Sequence, residues 1–321
     1  MSTYAVGERK KPKGSLGHRA YMFIWKYRWL HLFALPCVIY VFIFKYVPLY
    51  GLLMAFKNYK GYGGLAGIAS APWVGLRHFR TFFTGRFFGR LMRNTLLLSL
   101  YQLIFCFPAP ILLALLLNEI RSNGFKRVVQ TITYMPHFIS WVVAAGLVKA
   151  ILSPTTGPLN AVLHNVFGIE PIYFVNETRC FRAVLIISDI WKEVGWSTIV
   201  YLAAITGINP EMYEAATLDG ASRWQRMWYI TLPSISNMVA IMFILQIGRI
   251  LDQNFDQIMN LYNPAVYEVG DVIDTYVYRA GMLDGQYSFS TAVGLFKSVV
   301  SIIMVFLSNK VAKKLGTSGI W

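Results

Sequence analysis

Residues 209–235 read NPEMYEAATLDGASRWQRMWYITLPSI. Asn209-Pro210 is a helix start: the asparagine side chain caps free backbone N–H groups, and proline suits the first helical position, where its missing N–H is not needed. Glu211 and Glu214 fall in the first turns, where the helix dipole favours negative charge. Met212, Ala215, Ala216 and Leu218 form an apolar face, and Gly220, just after Asp219, breaks the helix. Ala221–Ile230 restarts a helix bearing Trp224, Met227 and Trp228, and Leu232-Pro233 turns the chain back. A short amphipathic, aromatic segment with no partner in its own chain is either a docking surface or a linker lying on its own bundle. The residues of the segment leave both open.

Its flanks decide the fold class. Of 321 residues, 56% are apolar and only 14% charged, against roughly 25% charged in a soluble domain. A water-soluble enzyme, a disordered chain and a collagen-like chain are all disfavoured. Bilayer-crossing helices need about 20 mostly apolar residues, and such stretches fall near 31–52, 94–117, 128–150, 183–205, 234–251 and 286–309. The expected fold is an all-α membrane protein with six transmembrane helices, occupying residues 31–310. The 1–30 tail carries Arg9, Lys10, Lys11, Lys13, Arg19, Lys26 and Arg28 against Glu8, and Lys310, Lys313 and Lys314 mark the other end, residues 311–321. By the positive-inside rule both termini are cytoplasmic, which places the 206–233 loop on the cytoplasmic side as well.

One stretch resists that orientation. Lys57, Lys60, Arg77, Arg80, Arg86, Arg90 and Arg93 occur without an acid between 57 and 93, on the side the topology makes external. The last outer loop, 252–290, is acidic instead. Residues 73–92 mix aromatics with arginines and read as a helix lying in the membrane interface. GYGGLAG, 61–67, reads as a turn or flexible loop. The three cysteines and five histidines are scattered, so no metal site is expected, and the long first apolar stretch is unlike a cleavable leader. The chain holds no Gly-Lys dipeptide, hence no Walker A loop for ATP. The net charge of +15 fits anionic lipid or an anionic substrate. Nucleic acid drops out once the spans are recognised.

The 209–235 segment resembles the EAA signature of binding-protein-dependent ABC importer permeases: Glu-Ala-Ala, three residues, Gly, nine residues, Ile-x-Leu-Pro. Glu214, Ala215, Ala216, Gly220, Ile230, Leu232 and Pro233 occupy every fixed position. The six-span layout extends the resemblance to most of the chain, which is similar to the carbohydrate-uptake permeases of the maltose and complex-oligosaccharide type. The resemblance implies a type I importer permease in the plasma membrane, a transport subunit rather than an enzyme. It implies that the segment is a coupling helix seated in a separate cytoplasmic ATPase, with Glu214, Asp219, Gly220 and Trp224 among its residues. ATP and Mg would bind that ATPase dimer, and no cofactor is expected in this chain. A second homologous permease and an extracellular solute-binding protein complete the set, with loops 153–182 and 252–290 as landing sites.

Ionisable groups inside spans are costly and mark pathways by default. Asp189, Lys192 and Glu193 are spaced i, i+3, i+4 and share a helix face, as a self-neutralising cluster, a cavity wall or both. By position in the family, Asp189, Lys192, Glu193 and Trp196 line one side of a substrate cavity and Gln246, Arg249 and Ile250 the other. Trp196 offers a flat face for a sugar, or belongs to an interfacial belt. In-span cations (Lys45, Lys149, Lys192, Arg249, Lys297) outnumber in-span acids (Asp189, Glu193), which suits an acidic, uronate-bearing oligosaccharide. Lipid anchoring by 57–93 explains part of the same charge. The alternative function is an ion-coupled secondary transporter, for which no paired broken-helix repeat is visible.

Overall fold

This computed structural model describes residues 16–252 and 255–314. Arg9, Lys10, Lys11 and Lys13, and the tail beyond Lys314, lie outside the described residues. Within them the regular structure is helical, with one isolated antiparallel bridge between Lys57 and Trp73. The chain divides into two compact units, Met1–Leu53 and Met54–Trp321.

The first unit holds a short helix, Leu16–Lys26, and most of α1, Arg28–Phe56. Pro36 lies inside α1, and the ladder widens to a π turn over Phe42–Tyr46, then tightens to 3-10 geometry from Val47. Its large apolar side chains, such as Trp29, Phe33 and Phe44, are exposed. A helix with its backbone satisfied internally and apolar side chains outward is what a bilayer admits.

The second unit comprises α2 (Phe88–Glu119), α3 (Asn123–Phe138), α4 (Trp141–Ile151), α5 (Thr178–Thr206), α6 (Pro210–Leu218), α7 (Arg223–Ser234), α8 (Ser236–Gly248) and α9 (Tyr287–Lys314). Among the described residues α1, α2 and α9 are long and apolar enough to cross a membrane singly. The pairs α3/α4, bent by 109°, and α7/α8, bent by 61°, qualify only jointly. The stretch expected as one helix at 128–150 is therefore two. Pro136 lacks an N–H for the helical ladder, Met135–Phe138 tightens to 3-10, and Ser140 opens α4 by accepting from the Val143 N–H at 3.3 Å.

α5 has 29 residues, but Asp189, Lys192 and Glu193 interrupt its apolar run. It can carry them because it packs against α2 and α3 inside the unit. Gly195 permits that packing: a Cβ there would strike the Thr133 carbonyl of α3. Two apolar cores sit at either end of α5. One gathers Leu98, Phe181, Leu185 and Leu261; the other gathers Leu115, Leu117, Tyr201 and Ile205.

Two expectations for the outer segments are corrected. Residues 73–92 are not one interfacial helix. A short helix, Arg77–Phe83, is followed by a break, and α2 begins at Phe88. Phe82 is buried against Phe88, Phe289 and Phe296, so these aromatics build a core rather than face lipid. GYGGLAG is a turn only in its first half, since Gly64–Ser70 is helical.

The basic 57–93 stretch also acquires partners. Arg90 bonds Asp271 at 3.3 Å, Arg93 donates to the Glu268 carbonyl at 3.4 Å, and Lys57 donates to the Ile68 and Ala69 carbonyls at 3.0 and 2.6 Å. Asp271 is fully buried and is also held by Arg279 at 2.6 Å. Burial alone would lower the Arg279 pKa, yet the bond and charge of Asp271 hold it above its ordinary value. The basic 57–93 stretch and the acidic 252–290 stretch thus fold onto each other, which accounts for part of the charge that the expected orientation left unexplained.

Candidate translocation cleft and coupling surface

Pro108 has no N–H to offer the carbonyl four residues back. The Phe107 N–H reaches the Gln102 carbonyl instead, at 3.0 Å, and Gln102–Cys106 becomes a π turn. This widening aims Gln102 into a cleft of about 380 Å³ between α2, α5 and the C-terminal end of α8. Asp189, Glu193 and Ser197 line it from α5, and Gln246, Arg249 and Asp252 from α8 and the turns after it. Those turns run from Gln246 to Asp252 through bonds from the Arg249, Ile250 and Asp252 N–H groups.

Four of the seven expected cavity residues, Asp189, Glu193, Gln246 and Arg249, thus meet around one concavity. Lys192, Trp196 and Ile250 do not line it. Lys192 is buried. Its Nζ donates to the His137 carbonyl and to Glu193, both at 2.9 Å, and lies over the Trp141 ring. Trp196 stacks on His137 with ring centroids 4.5 Å apart and planes 2° from parallel, and Phe138 meets it edge-on. The Ile250 carbonyl accepts from the Ser99 hydroxyl. His137, which the sequence did not single out, joins this cluster through Nδ1, 2.6 Å from Glu193.

The sign of the lining differs from the sequence expectation. Arg249 is the one basic side chain among the lining residues, facing Asp189, Glu193 and Asp252. Lys192 is engaged by Glu193, and Lys297 by Asp252 at 2.6 Å and Asp274 at 2.5 Å. Gln102, Ser197 and Asp252 escaped the sequence reading. The prolines at 108 and 110 were the available signal for Gln102, since they force the ladder to change upstream.

The 209–235 segment is built from local rules. The Asn209 carboxamide accepts from the Glu211 N–H at 3.1 Å and donates to the Glu211 carboxylate at 3.1 Å. α6 ends in a Schellman motif: the Ala221 N–H reaches the Ala216 carbonyl at 2.9 Å and the Gly220 N–H the Thr217 carbonyl at 3.1 Å, with Gly220 at φ +79°. Ser222 and Gln225 form a capping box that starts α7. Tyr213 bonds Thr231 at 2.9 Å and Arg226 bonds Thr217 at 2.6 Å, tying α6 to α7. Glu214 is exposed and makes no hydrogen bond or ion pair with a described residue. Leu218, one turn further along α6 and 89% exposed, and Trp224 at the start of α7, 64% exposed, are uncovered apolar side chains. Ala215 and Asp219 are exposed as well; Leu232 and Ile230 are half-buried where the chain re-enters the bundle, next to exposed Pro233.

A helical membrane unit with a polar cleft on one side of its central helix and a self-capped, uncovered helix pair defines the membrane subunit of a transporter. Residues 106–317 match the family described as binding-protein-dependent transport system inner membrane component, and the chain belongs to that family of plasma-membrane permeases.

Its relatives are close. It is similar to protein LplB of Bacillus subtilis (strain 168), 45% identical over 92% of this chain and 91% of the relative. It is 47% identical, over 92% of this chain and 90% of the other, to the polygalacturonan/rhamnogalacturonan transport system permease protein YteP of the same organism. Among solved structures it resembles a chain of a bacterial ABC transporter involved in the import of the acidic polysaccharide alginate: TM-score 0.85, 44% identity, 92% of this chain and 99% of that one. It also resembles a chain of the alginate ABC transporter in complex with an alginate pentasaccharide-bound periplasmic protein: TM-score 0.86, 43% identity, 94% of this chain and 100% of that one.

Proposed function

We propose that this permease is one half of a membrane pair that moves an oligosaccharide rich in uronic acids into the cell, driven by ATP hydrolysis on a separate cytoplasmic ATPase dimer. The observation that carries the substrate class is the 47% identity, over nearly the whole chain, to a permease named for polygalacturonan and rhamnogalacturonan transport. The likeness to the alginate importer points the same way. In this reading the chain crosses the membrane six times, at about 31–52, 94–117, 128–150, 183–205, 234–251 and 286–309, with α3/α4 a bent crossing and α8 the core of the fifth span. Both termini and the coupling loop 206–233 face the cytoplasm.

α6 docks in the ATPase. Glu214 supplies the charged contact, Leu218 and Trp224 the apolar one, and Gly220 the reversal that lets α7 return to the membrane. The cleft beside α5 is closed by a second, homologous permease. Asp189, Glu193, Gln102 and Gln246 bond sugar hydroxyls, and Arg249 takes a carboxylate. A solute-binding protein delivers substrate from outside to loops 153–182 and 252–290. Reconstitution of the permease pair with its ATPase and binding protein in liposomes tests the reading. ATP-dependent uptake of a galacturonate oligomer, exceeding that of the neutral oligomer of equal length, is expected. Uptake that ignores ATP, or that favours the neutral sugar, would overturn it.

A further inference from the structure

Above the cleft, on the same side of α5, lies a second hollow of about 540 Å³ between α2 and the first turns of α5. Tyr101 and Phe105 form one wall, Arg179, Arg182 and Ile190 the other. Ile190 also lines the cleft, so the two concavities share a wall. Residues 179, 182, 186, 190, 193 and 197 follow the 3-4 spacing of a single helix stripe. That stripe runs for about 27 Å, from Arg179 at the start of α5 down to Ser197 in the cleft, enough for several sugar rings in file.

The two arginines of the hollow differ. Arg182 is committed to the fold: Nε donates to the Val269 carbonyl at 3.2 Å and Nη2 to the Asn94 side chain at 2.9 Å. Arg179 is exposed and makes no hydrogen bond or ion pair with a described residue. The hollow's lining contains no aspartate or glutamate, whereas the cleft below presents three acids to one arginine. Along this stripe the outer hollow is the part whose lining carries cations and no acid. Tyr101 and Phe105, four residues apart with ring centroids 6.5 Å from each other, give flat apolar faces against which the C–H side of a pyranose packs.

We propose that this hollow is a second, outer sugar subsite, in which Arg179 binds a carboxylate of an acidic oligosaccharide while Tyr101 and Phe105 pack on its ring. The proposal rests on the acidic-oligosaccharide reading above. A guanidinium binds a carboxylate through two parallel N–H bonds, and the carboxylate here belongs to a sugar unit that trails the one in the cleft. The subsite serves oligomers long enough to fill both hollows and leaves shorter ones to the cleft alone.

The test uses the complete complex in liposomes, with a galacturonate tetramer, its fully methyl-esterified neutral form and a galacturonate dimer. Each rate of the Arg179→Gln complex is divided by the wild-type rate for the same sugar. Tetramer uptake at low concentration is expected to fall up to about fivefold, the scale of an exposed ion pair. The ester and the dimer should stay near wild type, and Arg179→Lys should recover part of the loss. A wild-type complex that does not take up the acidic tetramer sinks the acidic-oligosaccharide reading itself. A wild type that takes it up, with an Arg179→Gln ratio of one, overturns the subsite alone. An equal fall for all three sugars overturns it in favour of a docking role for Arg179. A fall that appears only when phosphatidylglycerol is present overturns it in favour of an anionic lipid.

Discussion

α6 and the cleft beside α5 both present acidic side chains, and the protein treats them in opposite ways. On α6 the backbone is capped at both ends from within, while the Glu214 side chain makes no hydrogen bond or ion pair with a described residue and Leu218 beside it is exposed. In the cleft, Glu193 is bonded by both Lys192 and His137, and Asp252 is paired with Lys297. The difference follows from solvent. At a water-facing surface an unpaired carboxylate costs little, so it can be kept ready for another protein. A charge taken out of water costs several kcal/mol unless it is paired, and in the cleft Glu193 and Asp252 have cations of the fold beside them, leaving a polar but largely balanced wall.

The contrast can be broken most directly at Glu214. Glu214→Ala should reduce ATP-driven uptake on the order of tens-fold, the scale of a lost inter-site coupling, while the thermal midpoint of the isolated permease stays unchanged. A drop in that midpoint would show that Glu214 serves the fold, and the comparison would fail.

The next largest effect separates the two cations of the α5 region. Arg249→Met should lower uptake of an acidic oligomer about tenfold, as loss of a charge-assisted bond does, and leave the neutral oligomer close to wild type. Lys192→Met should act on stability instead of selectivity. Glu193 and the His137 carbonyl lose their cation, so the thermal stability of the complex falls by about 1–3 kcal/mol, discounted because Glu193 is about a third exposed. Its preference between acidic and neutral sugar should not move. Equal selectivity changes in both variants would mean that Lys192 reaches substrate after all.

The smallest effect belongs to Gly220→Ala. A φ of +79° costs an L-residue about 1–2 kcal/mol, with open space around the added methyl. Uptake should fall by a few fold with no change in sugar preference. Wild-type uptake, measured alongside ATPase stimulation, would show that the reversal after α6 does not depend on glycine.

α6 was legible in the sequence because everything that shapes it is local. Asn209, Pro210 and Gly220 act over one to five residues; the Ser222/Gln225 capping box is as local, but only the structure revealed it. The cleft was legible only in part. The i, i+3, i+4 spacing placed Asp189, Lys192 and Glu193 on one side of α5, and the turns after α8 brought Gln246 and Arg249 opposite. Spacing could not say that Lys192 bends away to a carbonyl on α3, because that depends on the break at Pro136, which brings His137 alongside α5. Trp196 read as a face for a sugar or as an interfacial belt residue; the same break lays the His137 ring on it.

The sequence by itself determined the helical membrane class, the family signature, and both ends of α6, since hydropathy and capping are read along the chain. The tertiary structure alone decided which charges are left over. Whether Arg249 or Lys192 meets the cleft, and whether Arg90 and Arg93 are spare cations or the clamps of an acidic loop, depends on residues far away in the chain. A charge is neutralised by whatever lies within a few ångströms, and only the folded backbone sets that distance.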